Sequence, residues 1–159
     1  MPIINEVSAP AQRSHICETV LRALPQWFGI ESSILEYIEA VRTMSFWAAF
    51  EAGIPIGFIA LKVHNTYTSE ISVMGVLPEY HRQGIGTKLL HCCERSCTNI
   101  GTEFLTVKTL DGSAIDENYA QTRQFYVASG FRPLEVFPLL WDERNPCLFM
   151  AKHLSLPAI

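Results

Sequence analysis

A glycine pair at the mouth of a predicted helix, Gly84 and Gly86 in "PEYHRQGIGTKLL", constrains this chain more than any other feature. The apolar run "SEISVMGVL" precedes it, with Pro78 closing that run, and Ile85, Leu89, Leu90 and Cys93 after it fall on one helical stripe that ends at Gly101. The chain must therefore pass from a strand through a glycine turn straight into a helix. Successive backbone N–H groups in such a turn point outward together, and the helix dipole adds partial positive charge at the same place. A pyrophosphate fits a nest of this kind, and the missing Cβ atoms let a bulky ligand come close to the backbone. Plain turn chemistry at a helix start remains the competing reading. The segment lacks the GK[ST] ending of a P-loop, and it has no third glycine or downstream acidic residue in the dinucleotide arrangement.

With 159 residues, 48% of them hydrophobic, the chain is expected to form a single domain over residues 1–159 with one substantial core. A net charge of −4 and a pI near 5.7 argue against nucleic-acid binding, which needs a basic stripe or patch. The N-terminal "MPIINEVSAPAQR" has no basic segment followed by an apolar stretch, and no uncharged apolar run approaches the roughly 18 residues of a membrane span. A soluble cytoplasmic protein is expected. The cysteines Cys17, Cys92, Cys93, Cys97 and Cys147 show no CxxC pair and no zinc-finger spacing, so no metal is expected and they read as small apolar residues.

Periodicity supplies the remaining elements. Ile16, Val20, Leu21 and Leu24 in "SHICETVLRAL" predict a helix that Pro25 breaks. A second helix is expected after Ser32 or Ser33, with Ile34, Leu35, Ile38 and Val41 on one face, and the aromatic loop "PQWFGI" between the two. "SFWAAFEAG" and "PIGFIALKV" read as a hairpin turning at Gly53. After the glycine helix come a strand "EFLTVKTL", a polar loop "DGSAIDEN", a helix through "YAQTRQFYVASG", and two strands in "FRPLEVFPLLW" and "PCLFMAKHL". An α/β or α+β fold, a sheet covered by helices, follows from this order.

"VLPEYHRQGIGTKLL" after a buried strand, followed by "TRQFYVASGF", resembles the GNAT superfamily of acyl-CoA-dependent N-acetyltransferases across about residues 45 to 137. The resemblance implies a mixed, mainly antiparallel central sheet with helices on both faces. It also implies acetyl-CoA as co-substrate, its pyrophosphate held by the backbone of His81, Arg82, Gln83, Gly84, Ile85, Gly86 and Thr87. His81 stands where the family has Gln or Arg, and Arg82 beside it can supply phosphate charge.

The remaining roles are also implied by the resemblance. Glu70, opening the strand, takes the place of a glutamate that acts as general base, usually through water; an ammonium with a pKa near 10.4 must lose its proton before it attacks. Met74 and Val76 take the place of residues whose N–H groups, freed at a bulge, receive the thioester carbonyl and the pantetheine arm, with Gly75 easing the distortion. One preorganised donor of this kind contributes on the order of 3 kcal/mol. Tyr126 takes the place of the tyrosine that protonates the departing thiolate. The family's cofactor-contacting asparagine falls at Tyr119 here, with Asn118 adjacent as the substitute candidate.

The resemblance also implies that the first two helices and their connecting loop wall the acceptor cleft, making Trp27 and Phe28 candidates to hold a cationic group by cation–π attraction, and Trp141 beside Asp142 and Glu143 a third. The expected partner is a primary amine, of a small molecule in preference to a peptide or protein, with a homodimer left open and neither nucleic acid nor membrane expected. A non-catalytic acyl-CoA-binding module would need the same nest but neither Glu70 nor Tyr126 facing the thioester.

Overall fold

In the computed structural model, which describes residues 1–154, the apolar runs become strands of one seven-stranded sheet. The chain runs β1 (Ile3–Glu6), α1 (Pro10–Arg22), α2 (Glu31–Ala40), β2 (Ser45–Glu51), β3 (Ile54–Val63), β4 (Thr68–Val76), α3 (Ile85–Asn99), β5 (Phe104–Leu110), α4 (Glu117–Ala128), β6 (Arg132–Asp142) and β7 (Asn145–His153). The spatial order is β1-β2-β3-β4-β5-β7-β6, and every neighbouring pair is antiparallel except β4 with β5. A parallel pair needs a crossover connection, which α3 provides. The fold is thus the mixed α/β arrangement expected, mainly antiparallel. The end of the expected domain, residues 155–159, lies outside the described residues.

Two apolar layers flank the sheet. Ile59, Leu61, Ile71, Leu105 and Val107 pack under Leu89, Leu90 and Cys93 of α3, with Tyr126 of α4 in the same cluster. On the opposite face Phe46, Phe58, Ala60 and Val73 meet Ile16, Val20 and Leu21 of α1. Central strand β3 is covered on both sides, which is why "GFIAL" is continuously apolar and does not alternate.

Several boundaries differ from the sequence expectation. Helix α1 starts earlier, at Pro10, because a proline in the first turn lacks an N–H that the helix does not use there. Helix α2 starts at Glu31 without a side-chain cap, so neither Ser32 nor Ser33 opens it; Glu31 instead accepts two 2.9 Å bonds from the Arg22 guanidinium. Helix α4 takes up Glu117 and Asn118 from the expected polar loop, since the Asp116 carboxylate caps the N–H groups of Asn118 and Tyr119 at 2.9 and 3.2 Å. Strand β1 was not legible: it spans four mostly exposed residues, and pairing with β2 alone defines it.

Candidate functional site

Strands β4 and β5 pair only from Thr68 opposite Phe104 to Ile71 opposite Val107. Beyond that point they diverge, and Ser72 to Val76 on one side and Val107 to Thr109 on the other wall a cleft of about 570 Å³. The divergence begins where the β3–β4 register slips: Ala60 faces Val73 while Leu61 faces Ile71, leaving Ser72 as the extra residue of a bulge. The expected bulge around Gly75 is therefore placed earlier, at Ser72. Gly75 itself stays in register opposite Phe58, and its lack of a side chain serves helix packing, because a Cβ there would lie 2.8 Å from Leu24 Cδ1.

Backbone parity decides which β4 groups face the gap. The Leu77 N–H points toward β3, donating to the Ile56 carbonyl at 2.8 Å. In an extended strand successive N–H groups alternate sides, so those of Val76 and Met74 point away from β3 and into the gap. The Val76 carbonyl faces the same way and accepts a 2.7 Å bond from His81 Nε2, which fixes the proton on that nitrogen. His81 thus turns back onto the strand end and also meets Trp27 edge-on, with ring centroids 5.7 Å apart.

The turn that follows is built from two left-handed residues, Arg82 at φ 63° and Gly84 at φ 78°. Gly84 caps α3 without a side-chain bond, and the first intrahelical bond runs from Lys88 N–H to the Gly84 carbonyl at 3.0 Å. The N–H groups of Ile85, Gly86 and Thr87 are consequently free at the helix mouth, and all three residues line the cleft. Gly86 is where α4 comes close, since a Cβ would stand 3.3 Å from Phe125 Cε1.

Tyr126 reaches the cleft from α4 on the helix-covered side of the sheet, edge-on to Phe125 and Phe131 with both centroid distances 5.5 Å. It is 5% exposed, and burial pushes its phenol well above the ordinary tyrosine range, with Tyr119 and Tyr37 adding to the effect. The hydroxyl stays protonated at neutral and moderately alkaline pH. On β5 the Thr109 hydroxyl is buried on the cleft wall without a hydrogen-bond partner among the described residues.

Glu70 lies just behind the cleft and not on its lining. Its carboxylate accepts from His64 Nε2 at 2.6 Å and from Lys108 Nζ at 3.1 Å. Lys108 does line the cleft, on the same face as Glu70. Of the other expected residues, Trp27, Phe28, Trp141, Met74, Val76, His81, Arg82 and Gly84 all border the cleft. Two do not: Gln83 turns its amide back to the Glu79 carbonyl at 3.2 Å, and Asn118 contributes its backbone carbonyl to a different bond.

That bond belongs to a strap that sequence reasoning did not find. Trp27 Nε1 donates to Thr122 Oγ1 at 3.1 Å and to the Asn118 carbonyl at 3.3 Å, while the Tyr119 hydroxyl donates to the Trp27 carbonyl at 2.6 Å. The loop between α1 and α2 is thereby pinned to the first two turns of α4, beside the cleft. Burial pushes the Tyr119 phenol up to about 12, so it remains a donor. Tyr119 stood out in sequence only as a departure from the family asparagine, and Ser72 only as a hydroxyl near Glu70 that could orient a water; Tyr37 and Lys108 carried no local signal.

The splayed parallel pair, the helix mouth and the buried Tyr126 phenol thus border one cleft. Residues 42–133, more than half of the chain, match the family model described as an acetyltransferase (GNAT) domain. The chain belongs to the GNAT family and is an acyltransferase. No curated protein matches it in sequence. A GNAT-family protein from Desulfovibrio desulfuricans superposes with a TM-score of 0.81 at 17% identity, covering 98% of this chain and 100% of the other. An aminoglycoside 6'-N-acetyltransferase complexed with coenzyme A gives 0.76 at 19%, with 99% of each chain covered. The ribosomal-protein-S18-alanine N-acetyltransferase of Escherichia coli gives 0.76 at 16%, covering 99% and 97%. At such identities the likeness concerns the fold.

Among the described residues no helix is long and apolar enough to cross a membrane, and no group of three or more His, Cys, Asp or Glu side chains is placed to hold a metal ion.

Proposed function

We propose that the protein transfers the acetyl group of acetyl-CoA to a primary amine by direct attack in a ternary complex. The observation that carries the reading is the gap itself: the free N–H groups of Met74 and Val76, the helix mouth at Ile85 to Thr87 and the Tyr126 hydroxyl all border one cleft. The residues fit the co-substrate. Three unpaired N–H groups and Arg82 suit a pyrophosphate, and the unmet hydroxyl of Thr109 and the N–H of Val76 suit the amides of a pantetheine arm. The solved relative complexed with coenzyme A agrees with that assignment.

In the proposed step Glu70, reached through water beside Ser72, takes one proton from the acceptor ammonium. The neutral nitrogen attacks the thioester carbon, and the oxyanion that forms sits on the Met74 N–H. As the C–S bond breaks, Tyr126 gives its proton to the sulfur, and the second proton of the acylated nitrogen restores the phenol. Burial keeps the phenol protonated at the alkaline pH where amines lose their charge, but it also weakens the phenol as an acid, so transfer to the sulfur depends on the acylated nitrogen returning a proton to the phenol in the same step. A reducing compartment such as the cytoplasm suits the five free thiols.

The test is thiol release from acetyl-CoA with purified protein and a panel of primary amines, with the N-acetyl product identified by mass. Product formation first order in enzyme is expected. Binding of acetyl-CoA without transfer to any amine would replace this reading with a non-catalytic acyl-CoA-binding module.

A further inference from the structure

We infer that the acceptor is a monoamine with an aromatic or apolar body and no second positive charge. The inference rests on the proposed transfer reaction and concerns the acceptor side of the same cleft. The acidic composition and the Asp142–Glu143 pair lean toward a small cationic amine when read from sequence alone, and the tertiary structure keeps both away from the cleft. Among the described residues no Asp or Glu lines the cleft. The Asp142 carboxylate instead closes the β6–β7 turn, accepting from the Arg144 N–H at 2.9 Å and from Asn145 Nδ2 at 2.9 and 3.0 Å. Glu70, behind the cleft, is 8% exposed and already accepts from His64 and Lys108.

The one carboxylate behind the cleft is already paired with a cation. Lys108 borders the cleft, its side chain 36% exposed, and its ammonium neutralises the Glu70 carboxylate at 3.1 Å, so the pair offers no net negative charge to a second ammonium. Four aromatic residues, Trp27, Phe28, Tyr37 and Trp141, also line the cleft, and Phe28 and Tyr37 already pack edge-on at 6.1 Å. Such a wall favours an apolar body. The single ammonium of a monoamine disappears on the way to attack, so nothing charged is left that would need a carboxylate.

The experiment compares kcat/KM for 2-phenylethylamine, n-hexylamine, spermidine and kanamycin at one pH and ionic strength, in wild type, Lys108→Gln and Trp141→Ala. Wild type is expected to use 2-phenylethylamine at least about tenfold better than spermidine or kanamycin. Lys108→Gln narrows that gap, whereas Trp141→Ala, altering an exposed hairpin residue, raises KM for 2-phenylethylamine and leaves KM for acetyl-CoA within about twofold. Spermidine or kanamycin used as well as 2-phenylethylamine by wild type would overturn the inference while leaving the transfer reaction standing. Acetyl-CoA binding with no amine acetylated would overturn the transfer reaction, and the inference with it.

Discussion

The two halves of the cleft are made in opposite ways. The half proposed for the co-substrate is one nearly continuous stretch, Met74 to Thr87, and it presents backbone N–H groups whose directions follow from a bulge at Ser72, strand parity and a left-handed Gly84. The half proposed for the acceptor is gathered from the α1–α2 loop, α2, β5 and β6, and it presents the side chains of Trp27, Tyr37, Lys108 and Trp141. A backbone site tolerates many side chains but few changes of geometry. A side-chain site behaves the other way, so substitution in the first half should act nearly all-or-none and in the second half by degrees.

The largest effect should come from the backbone half. Gly84→Asp or Gly86→Asp is expected to weaken coenzyme A binding by at least roughly a hundredfold, because a carboxylate at the helix mouth opposes the phosphates. At Gly84 the φ of 78° adds strain, and at Gly86 the new Cβ crowds Phe125. Calorimetry on folded variants measures it; affinity within threefold of wild type would break the comparison. Next in size, Tyr126→Phe should lower kcat by roughly ten- to a thousandfold with acetyl-CoA affinity changed only a few-fold, since only a proton donor is lost. Steady-state kinetics paired with binding separates the two quantities.

Glu70→Gln should cost roughly tenfold in rate, most at pH below the acceptor's own pKa, where a proton must still be removed. A rate loss independent of pH would place Glu70 in structural support of Lys108 and His64 and not in proton transfer. On the acceptor half, Trp27→Phe keeps an aromatic ring but removes the indole N–H that reaches Thr122 and Asn118. About 1 kcal/mol of strap is lost, and a roughly fivefold rise in acceptor KM is expected with coenzyme A affinity nearly unchanged.

The smallest effect is on stability at alkaline pH. The folded-state phenols of Tyr126 and Tyr119 are raised, the latter to about 12, above an unfolded value near 10. Their contribution is fully present below about pH 10 and is lost as pH rises toward the folded values, because only the unfolded chain ionises in that window. Melting temperature should thus fall above pH 10, and Tyr119→Phe should make the fall shallower.

How far each half could be read in advance follows from the same difference. Local sequence determined the glycine nest, the hairpin at Gly53, both strands that wall the gap and the helix that carries Tyr126, since turn chemistry and hydrophobic period are properties of neighbouring residues. Family resemblance placed Met74 and Val76 without any side-chain signal, and parity in β4 gives them the same direction. Tertiary structure alone decided the rest. The bulge moved to Ser72 because register depends on β3. Gly75 proved to be a helix contact because α1 crosses there, and Glu70 came to lie behind Lys108 because β5 pairs in parallel beside it. The charge of the acceptor side shows the limit most plainly. Composition makes the chain acidic, yet which carboxylates face the cleft is set by strand order and turn closure, and those depend on residues far apart in the chain.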